Sequence, residues 1–193
     1  MSTSNASALL AEAIREPVRL RRHLLVGAAL REVLSTEPVV VGGTAEEFWT
    51  EAEYHETDLD IVVPLRPQDL KALEGLGFIE SGRHWVIGNV AVEIPESKLD
   101  GDLERTHIER IGKGAVRIIG VDDLYLDRLR QATSREDAEG IEFHSALAVA
   151  AAQFRSIDWA YVRERIRHEP EYIRDSMKRI DAKIRRRVRR ELS

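Results

Sequence analysis

Two linked segments restrict this chain more than any others: Val39-Val40-Val41-Gly42-Gly43-Thr44, and then Asp58-Leu59-Asp60-Ile61-Val62-Val63. The first is a β-branched strand stopped by two glycines, a turn whose backbone can come close to a ligand. The second reads as a strand in which Asp58 and Asp60 are two residues apart, so both carboxylates leave the same face. Like charges on a half-buried sheet face repel each other and lose hydration, a cost that a hard divalent cation removes. Asp-x-Asp pairs also arise by chance in solvated acidic loops, so this pair needs support from elsewhere in the chain.

That support is the run Val90-Ala91-Val92-Glu93-Ile94-Pro95. Gly88-Asn89 separates two alternating runs and signals a hairpin, which puts Glu93 on the second arm, next to the Asp58–Asp60 strand. Ala91, Glu93 and Pro95 share one face, while Val90, Val92 and Ile94 point to the other, the core side. The third acid is therefore presented rather than buried.

These residues resemble the signature of the DNA polymerase β-like nucleotidyltransferase superfamily: an apolar strand, Gly-Gly or Gly-Ser, a helix, then an apolar-flanked Asp-x-Asp. The resemblance covers roughly Val39 to Asp137 and is closest to small bacterial stand-alone members, including toxins of toxin–antitoxin pairs. Their late helix with an Asp-rich opening is matched by Val121-Asp122-Asp123-Leu124-Tyr125-Leu126-Asp127-Arg128-Leu129. Two departures stand out: the loop from Gly43 to Asp58 is long for the superfamily, and Gly43 occupies a position where many members have Ser, leaving Thr44 to supply a hydroxyl.

The resemblance implies an α+β fold, a mixed β-sheet flanked by helices with a C-terminal helical extension. Residues 1–120 would form the catalytic core with N-terminal helices, and 121–193 a helical region packed on it. It also implies a metal-dependent transfer of a nucleoside monophosphate from an NTP to a hydroxyl, with Mg²⁺ or Mn²⁺ held by Asp58, Asp60 and Glu93. Gly42, Gly43 and Thr44 would meet the nucleotide phosphates. Arg128 follows Asp127 where toxin-type relatives carry a basic residue that reaches those phosphates, and arginine suits by its bidentate geometry. Its three- and four-apart neighbours, Leu124, Tyr125, Gln131 and Ala132, include no acid to pair with it, though a plain solvated helix position remains the alternative. Arg135 and Asp137 sit where some relatives place an Arg-x-Asp element, and a helix start capped by Ser134 explains them equally well.

The secondary-structure pattern is helix, then mixed strand and helix, then helix only. Helical spacing runs from Ala8 to Arg15 and again from Pro17 to Leu34, with Pro17 in the first turn. Thr44 to Glu51 follows the glycines as a helix whose positive end faces them. Pro67 to Leu76 ends at Gly77, Phe78 opens a return strand or loop, and Val116 to Ile119 is one more strand. Helices follow near Asp122–Ala132, Glu136–Phe154, Trp159–Arg167 and Pro170–Arg190. In the last, Ile180, Ile184 and Val188 repeat every four residues and the remaining surface is cationic. A solvated terminal helix docked by that stripe is favoured over a grip on RNA.

With 193 residues, 43% hydrophobic and 33% charged, the chain has enough material for a sizeable core. The net charge of −5 says little about nucleic acid, because local faces matter more than the sum. No apolar run is long enough to span a bilayer, and the first residues lack a signal-peptide pattern, so a cytoplasmic location without membrane contact is expected. Absence of cysteine removes disulfides, thiolate nucleophiles and Cys-type zinc sites. The six histidines form no spaced ligand pair: His55 precedes the acidic strand within reach of a substrate, while His23, His84, His107, His144 and His168 are scattered. Gly-x-Ser-x-Gly, Walker-type and Gly-x-Gly-x-x-Gly motifs are absent. Trp85, Trp159 and Tyr161 read as core anchors, Trp49 less clearly so.

The resulting expectation is a nucleotidyltransferase acting on an RNA such as a tRNA end, a protein or a small molecule, with a cognate antitoxin as a partner implied by the toxin-type resemblance. A second reading keeps the same fold as a catalytically silent binding, regulatory or nucleotide-sensing module.

Overall fold

Residues 3–52, 58–134 and 140–192 are described by the structure, a computed structural model. The chain divides into two compact units, one of residues 1–48 and 52–119, the other of 49–51 and 120–193. The class is α+β, with a seven-stranded mixed sheet and eight α-helices among the described residues.

The first unit begins with α1 (Thr3–Arg15) and α2 (Arg19–Val33). Pro17 cannot donate a helical hydrogen bond, and α2 starts two residues beyond it, its first bond running from Arg22 N to Val18 O at 2.9 Å. Then come β1 (Val39–Val40), α3 (Gly42–Thr50), β2 (Asp58–Val62) and α4 (Pro67–Gly75). Three strands, β3 (Ile79–Ser81), β4 (His84–Ile87) and β5 (Val90–Glu93), form a meander, and β6 (His107–Ile111) and β7 (Gly114–Ile118) form a second hairpin. The sheet order is β3-β4-β5-β2-β1-β7-β6. β2 runs parallel to β5 and β1 parallel to β7, while the other pairs are antiparallel.

Strand alternation and register divide the sheet into two chemically different faces. Val40 lies opposite Ile61 and Ile118, Leu59 opposite Val92, and Val92 opposite Trp85, so these residues share one face. All of them are buried. α2 covers that face closely at Gly27, where an added Cβ would lie 2.8 Å from Val116 Cγ2 and 3.4 Å from Val40 Cγ2. Each Leu, Ile or Val side chain enclosed here contributes about 1.5–3 kcal/mol relative to exposure. The same alternation sends Asp58, Asp60, Glu93 and His84 to the opposite face.

The β6–β7 hairpin is wider than the single strand expected at Val116–Ile119. Its two-residue loop opens on Gly112 at φ +55°, the positive value that the favoured hairpin turns require. Its outer strand, β6, lies at the sheet edge and leaves Ile108 39% exposed, which blurs the alternation that identifies strands in a sequence.

α4 is tied down by Asp69, a residue 1% exposed. Its carboxylate accepts from Arg66 N at 2.8 Å, from Ser35 N at 2.7 Å and from Ser35 Oγ at 2.8 Å. The helix start and the chain after α2 are joined through one side chain.

The second unit comprises α5 (Val121–Ser134), α6 (Ile141–Gln153), α7 (Trp159–His168) and α8 (Glu171–Glu191). The acids of the first turn of α5 serve this packing. Asp122 Oδ1 accepts from Asp158 N at 2.8 Å, and Asp123 Oδ1 accepts from Tyr161 Oη at 2.7 Å and Arg165 at 3.2 Å. Trp159 is half-buried, edge-on to Tyr125, and donates from Nε1 to Phe154 O at 3.0 Å. Trp85 is 8% exposed in the first unit, and Trp49 accepts from Gln153 Nε2 through its carbonyl at 2.8 Å.

The buried stripe of α8 is Met177, Asp181, Ile184 and Val188, with Ile180 only half-buried. Spacings of four, three and four follow the 3.6-residue turn, whereas the expected every-fourth stripe drifts around the helix. Asp181 enters the core because it is satisfied there: Tyr125 Oη donates to it at 3.1 Å, and Arg185 pairs with it at 2.8 Å. Burial nonetheless raises its carboxyl above the ordinary range, against the pull of Arg185.

Burial alone would raise the Asp69 carboxyl as well, but the Ser35 and Arg66 amides more than offset it and hold it below its usual value. Its contribution to stability is therefore present above the unfolded-state carboxylate pKa and is lost as pH falls through the lower folded one. Asp69→Asn should cost about 1–3 kcal/mol at neutral pH. Urea denaturation of both proteins should show that difference shrinking under acid.

Candidate functional site

Three adjacent strands, β2, β5 and β4, bring four polar side chains to the sheet face opposite α2. Asp60 is paired with Glu93 across the parallel β2–β5 ladder, and Glu93 with His84 across the antiparallel β5–β4 ladder. Asp58 stands opposite Ala91, whose methyl group leaves room above the strand. In β2 the burial alternates around the acids: Leu59 and Ile61 are fully buried and both aspartates half-buried. The pattern read from sequence for Val90 to Glu93 holds, with Val90 and Val92 inside and Ala91 and Glu93 on the partly exposed side.

The side chains converge, and they do so with a residue the sequence did not single out. His84 Nε2 lies 3.2 Å from Asp58 Oδ2 and 3.6 Å from Glu93 Oε2. One donor atom from each of Asp58, His84 and Glu93 lies within 4.8 Å of both others, and all three residues are half-buried. Sequence spacing hides His84, because it is brought to Glu93 by the β4–β5 register and not by a helical or strand repeat. Its place opposite Glu93, read from a two-residue loop at Gly88-Asn89, was the available signal. Arg83 reaches the rim, its guanidinium 3.3 Å from Glu93 Oε2 with the side chain 71% exposed.

Asp60 is placed by the glycine corner. Gly42 has φ +60°, and a Cβ on it would lie 2.0 Å from Asp60 Oδ2. Both the backbone conformation and the space beside Asp60 therefore need glycine at this position. Val41 N continues the ladder to Asp60 O at 3.0 Å, and Val41 O accepts the first helical bond from Ala45 N at 3.3 Å. α3 thus starts two residues earlier than expected, with Gly42, Gly43 and Thr44 in its first turn, at the positive end of the helix dipole.

The Thr44 hydroxyl, expected to face phosphate, points inward. Thr44 is 3% exposed, 2.9 Å from His23 Nδ1 and 3.5 Å from the Asp58 carbonyl oxygen. A hydroxyl has one hydrogen; given to the Asp58 carbonyl, it leaves Oγ to accept from Nδ1–H, which selects one neutral tautomer of His23. Burial, with the Arg22 and Arg19 charges beside it, pushes the His23 imidazole down to about 4. A neutral, enclosed histidine thereby links α2 to the helix start and to the backbone of β2. Arg19 adds a second link, an ion pair of 2.9 Å to Glu47 on α3.

Arg128 belongs to the second unit and is 5% exposed. One of its terminal nitrogens donates to Gln131 Oε1 at 3.0 Å and lies 3.4 Å from Asp127 Oδ2. The inference that no local acid can pair with it is corrected: the acid is the preceding residue, and Gln131 bridges the two by donating to Asp127 at 3.0 Å. The acidic opening of α5 likewise serves Asp158, Tyr161 and Arg165, as described above. His55, Arg135 and Asp137 lie outside the described residues, as does the side chain of Ser134.

No protein-family model and no curated protein matches this chain. Among solved structures it is similar to the antibiotic-resistance factor ANT(2'')-Ia, with a TM-score of 0.45 and 16% identity, covering 83% of this chain and 100% of that one. It is also similar to an antigenic nucleotidyltransferase-like protein from Paracoccidioides brasiliensis, with a TM-score of 0.47 and 10% identity, covering 92% and 94% respectively.

The geometry generates two expectations. His23 binds a proton less readily folded than unfolded, so its contribution is complete above about pH 6.5 and is lost as pH falls towards about 4. The slope is at most about 1.4 kcal/mol per pH unit. His23→Gln should flatten the stability–pH curve in that window, as measured by urea denaturation at several pH values. Gly42→Ala should destabilise by about 1–2 kcal/mol through its backbone alone, with a further cost from displacing the Asp60 carboxylate; a change below a few tenths of a kcal/mol would show that the corner tolerates a side chain.

Proposed function

We propose that this chain is a metal-dependent nucleotidyltransferase that moves a nucleoside monophosphate from an NTP to a hydroxyl acceptor and releases pyrophosphate. The observation that carries the reading is the sharing of one sheet face by Asp58, Asp60 and Glu93, with donor atoms of Asp58, His84 and Glu93 gathered within 4.8 Å, beside a glycine corner that opens a helix. Sequence resemblance suggested the three acids; strand register brings them to that face.

The donor set fits a divalent cation. Its atoms are carboxylate oxygens and an imidazole nitrogen, gathered within 4.8 Å, and the buried Nε2 of His84 makes no hydrogen bond among the described residues. Asp58 and Glu93, with Asp60 alongside, would hold Mg²⁺ or Mn²⁺. Such an ion supplies electrostatic stabilisation for the charge that accumulates on the transferred phosphoryl group and lowers the cost of ionising an attacking hydroxyl.

The chain's own residues do the rest. The first turn of α3, at Gly42 and Gly43, would turn the positive end of the helix dipole to the β and γ phosphates. Glu93, the acid on the separate strand, is the candidate to accept the proton of the incoming hydroxyl. Buried Thr44 acts from behind, positioning the corner through His23 and the Asp58 carbonyl. Arg128, in the second unit, rests on the resemblance alone.

The toxin-type resemblance extends the proposal to its partners: an RNA such as a tRNA end, or a protein side chain, as acceptor, and a cognate antitoxin. Among the described residues no helix is long and apolar enough to cross a membrane.

Incubation with each α-labelled NTP, Mg²⁺ or Mn²⁺, and total RNA or lysate should label one acceptor. Asp58→Ala and Asp60→Ala should each lower label transfer at least about 100-fold, roughly 3 kcal/mol of barrier, without loss of the folded circular-dichroism spectrum. Full transfer by either variant overturns the assignment. Binding of an NTP that needs no metal, with no label transfer, would instead indicate a binding module. Glu93→Gln tests the proton acceptor: loss of the acidic limb of the pH–rate profile is expected if Glu93 takes the proton, and an unchanged profile with weaker metal dependence if it only holds the ion.

A further inference from the structure

Resting on that reading of the site, we infer that His84 is itself a metal ligand, so that the centre is a mixed carboxylate–imidazole site that favours Mn²⁺ over Mg²⁺. The sheet puts His84 in the same cross-strand row as Glu93 and Asp60. Its Nε2 is inaccessible to solvent and, among the described residues, makes no hydrogen bond, although Asp58 Oδ2 is 3.2 Å and Glu93 Oε2 3.6 Å away.

That combination has a physical meaning. Two carboxylate oxygens this close to an imidazole nitrogen would ordinarily receive its proton in a directed bond. Here the three atoms are near one another without being aimed at one another, as donor atoms are when they share a fourth partner. With metal–ligand bonds of about 2.2 Å, neighbouring ligands around an ion are about 3.1 Å apart; the Asp58 separation of 3.2 Å matches that, and the Glu93 separation of 3.6 Å is wider.

The nitrogen also selects the ion. Mg²⁺ prefers an all-oxygen shell, keeps its waters and gains little from imidazole. Mn²⁺ accepts carboxylates equally well and, as a first-row transition ion at the weak end of the Irving–Williams series, gains more from a nitrogen ligand than Mg²⁺ does. Arg83, 3.3 Å from Glu93 Oε2, is the charge that opposes cation binding, but its 71% exposure lets it turn to solvent.

Pulsed EPR on the intact protein loaded with Mn²⁺ reads the ligand directly. Wild type should show nitrogen hyperfine modulation that changes when the histidines are ¹⁵N-labelled, and His84→Ala should lose it. Mn²⁺ titration should show affinity falling at least about tenfold in His84→Ala, while Mg²⁺ affinity, from competition, changes less than about threefold. Should His84→Ala fail to fold, the labelled wild-type spectrum and the variant His84→Asn decide the matter. Absence of Mn²⁺ binding, bound Mn²⁺ without nitrogen coupling, or coupling that persists in a folded His84 variant overturns the proposal. The label-transfer assay separates the two readings. Transfer without nitrogen coupling sinks the His84 ligand and leaves the enzyme. Nitrogen coupling without transfer sinks the enzyme and leaves the ligand.

Discussion

The parallel pairing of β2 with β5, in the register that sets Asp60 opposite Glu93, is the constraint on which the site depends. A slip of one residue would turn Leu59 and Ile61 out of the core and drive Asp58 and Asp60 into it, reversing the preference of every side chain at once. The buried set of Val40, Leu59, Ile61, Val92, Val116 and Ile118 under α2 therefore locks the strand phase, and the polar face inherits its geometry from the apolar one. Burial of aliphatic side chains on one side thus positions charges on the other.

The glycine corner adds a second constraint on the same strand. Gly42, at a positive φ and without space for a side chain, lets α3 begin against Asp60, while His23 and Thr44 fasten that helix to α2 and to the β2 backbone. Three neighbouring acids are costly to hold together because like charges repel, a cost that the positive end of α3 offsets only in part. Links through a neutral histidine and an uncharged hydroxyl avoid adding to that charge. In the second unit the same residue types play a different part. Asp122, Asp123 and Asp181 are enclosed and bonded to a backbone amide, a phenol or an arginine, so their charges organise helix packing.

Much of the site was legible because strands have a period of two. Asp58 and Asp60 could be placed on one face, and Glu93 opposite the core, from alternation alone, and Gly88-Asn89 located the turn between β4 and β5. The β6 strand escaped because its edge position leaves Ile108 partly exposed and dulls the pattern. His84 escaped for a different reason: its partners are fixed by register across two ladders, a relation no local spacing records. Arg128 looked unpaired because only helical neighbours three and four residues away were considered, whereas its Nη1 reaches both the preceding Asp127 and Gln131. In α8 the expected stripe through Ile180 gave way to one through Met177 and Asp181, since a buried acid is acceptable once Tyr125 and Arg185 reach it.

By itself, the order of residues determined the α+β class, the apolar and polar faces of β2 and β5, and the glycine turn before the acids, because each follows from interactions within a few residues along the chain. Tertiary structure alone decided which strands became neighbours, that an imidazole joined two carboxylates, and that the Thr44 hydroxyl turned inward. Those outcomes depend on contacts between residues far apart in sequence, whose energies are set only when burial of the shared core fixes the register of the whole sheet.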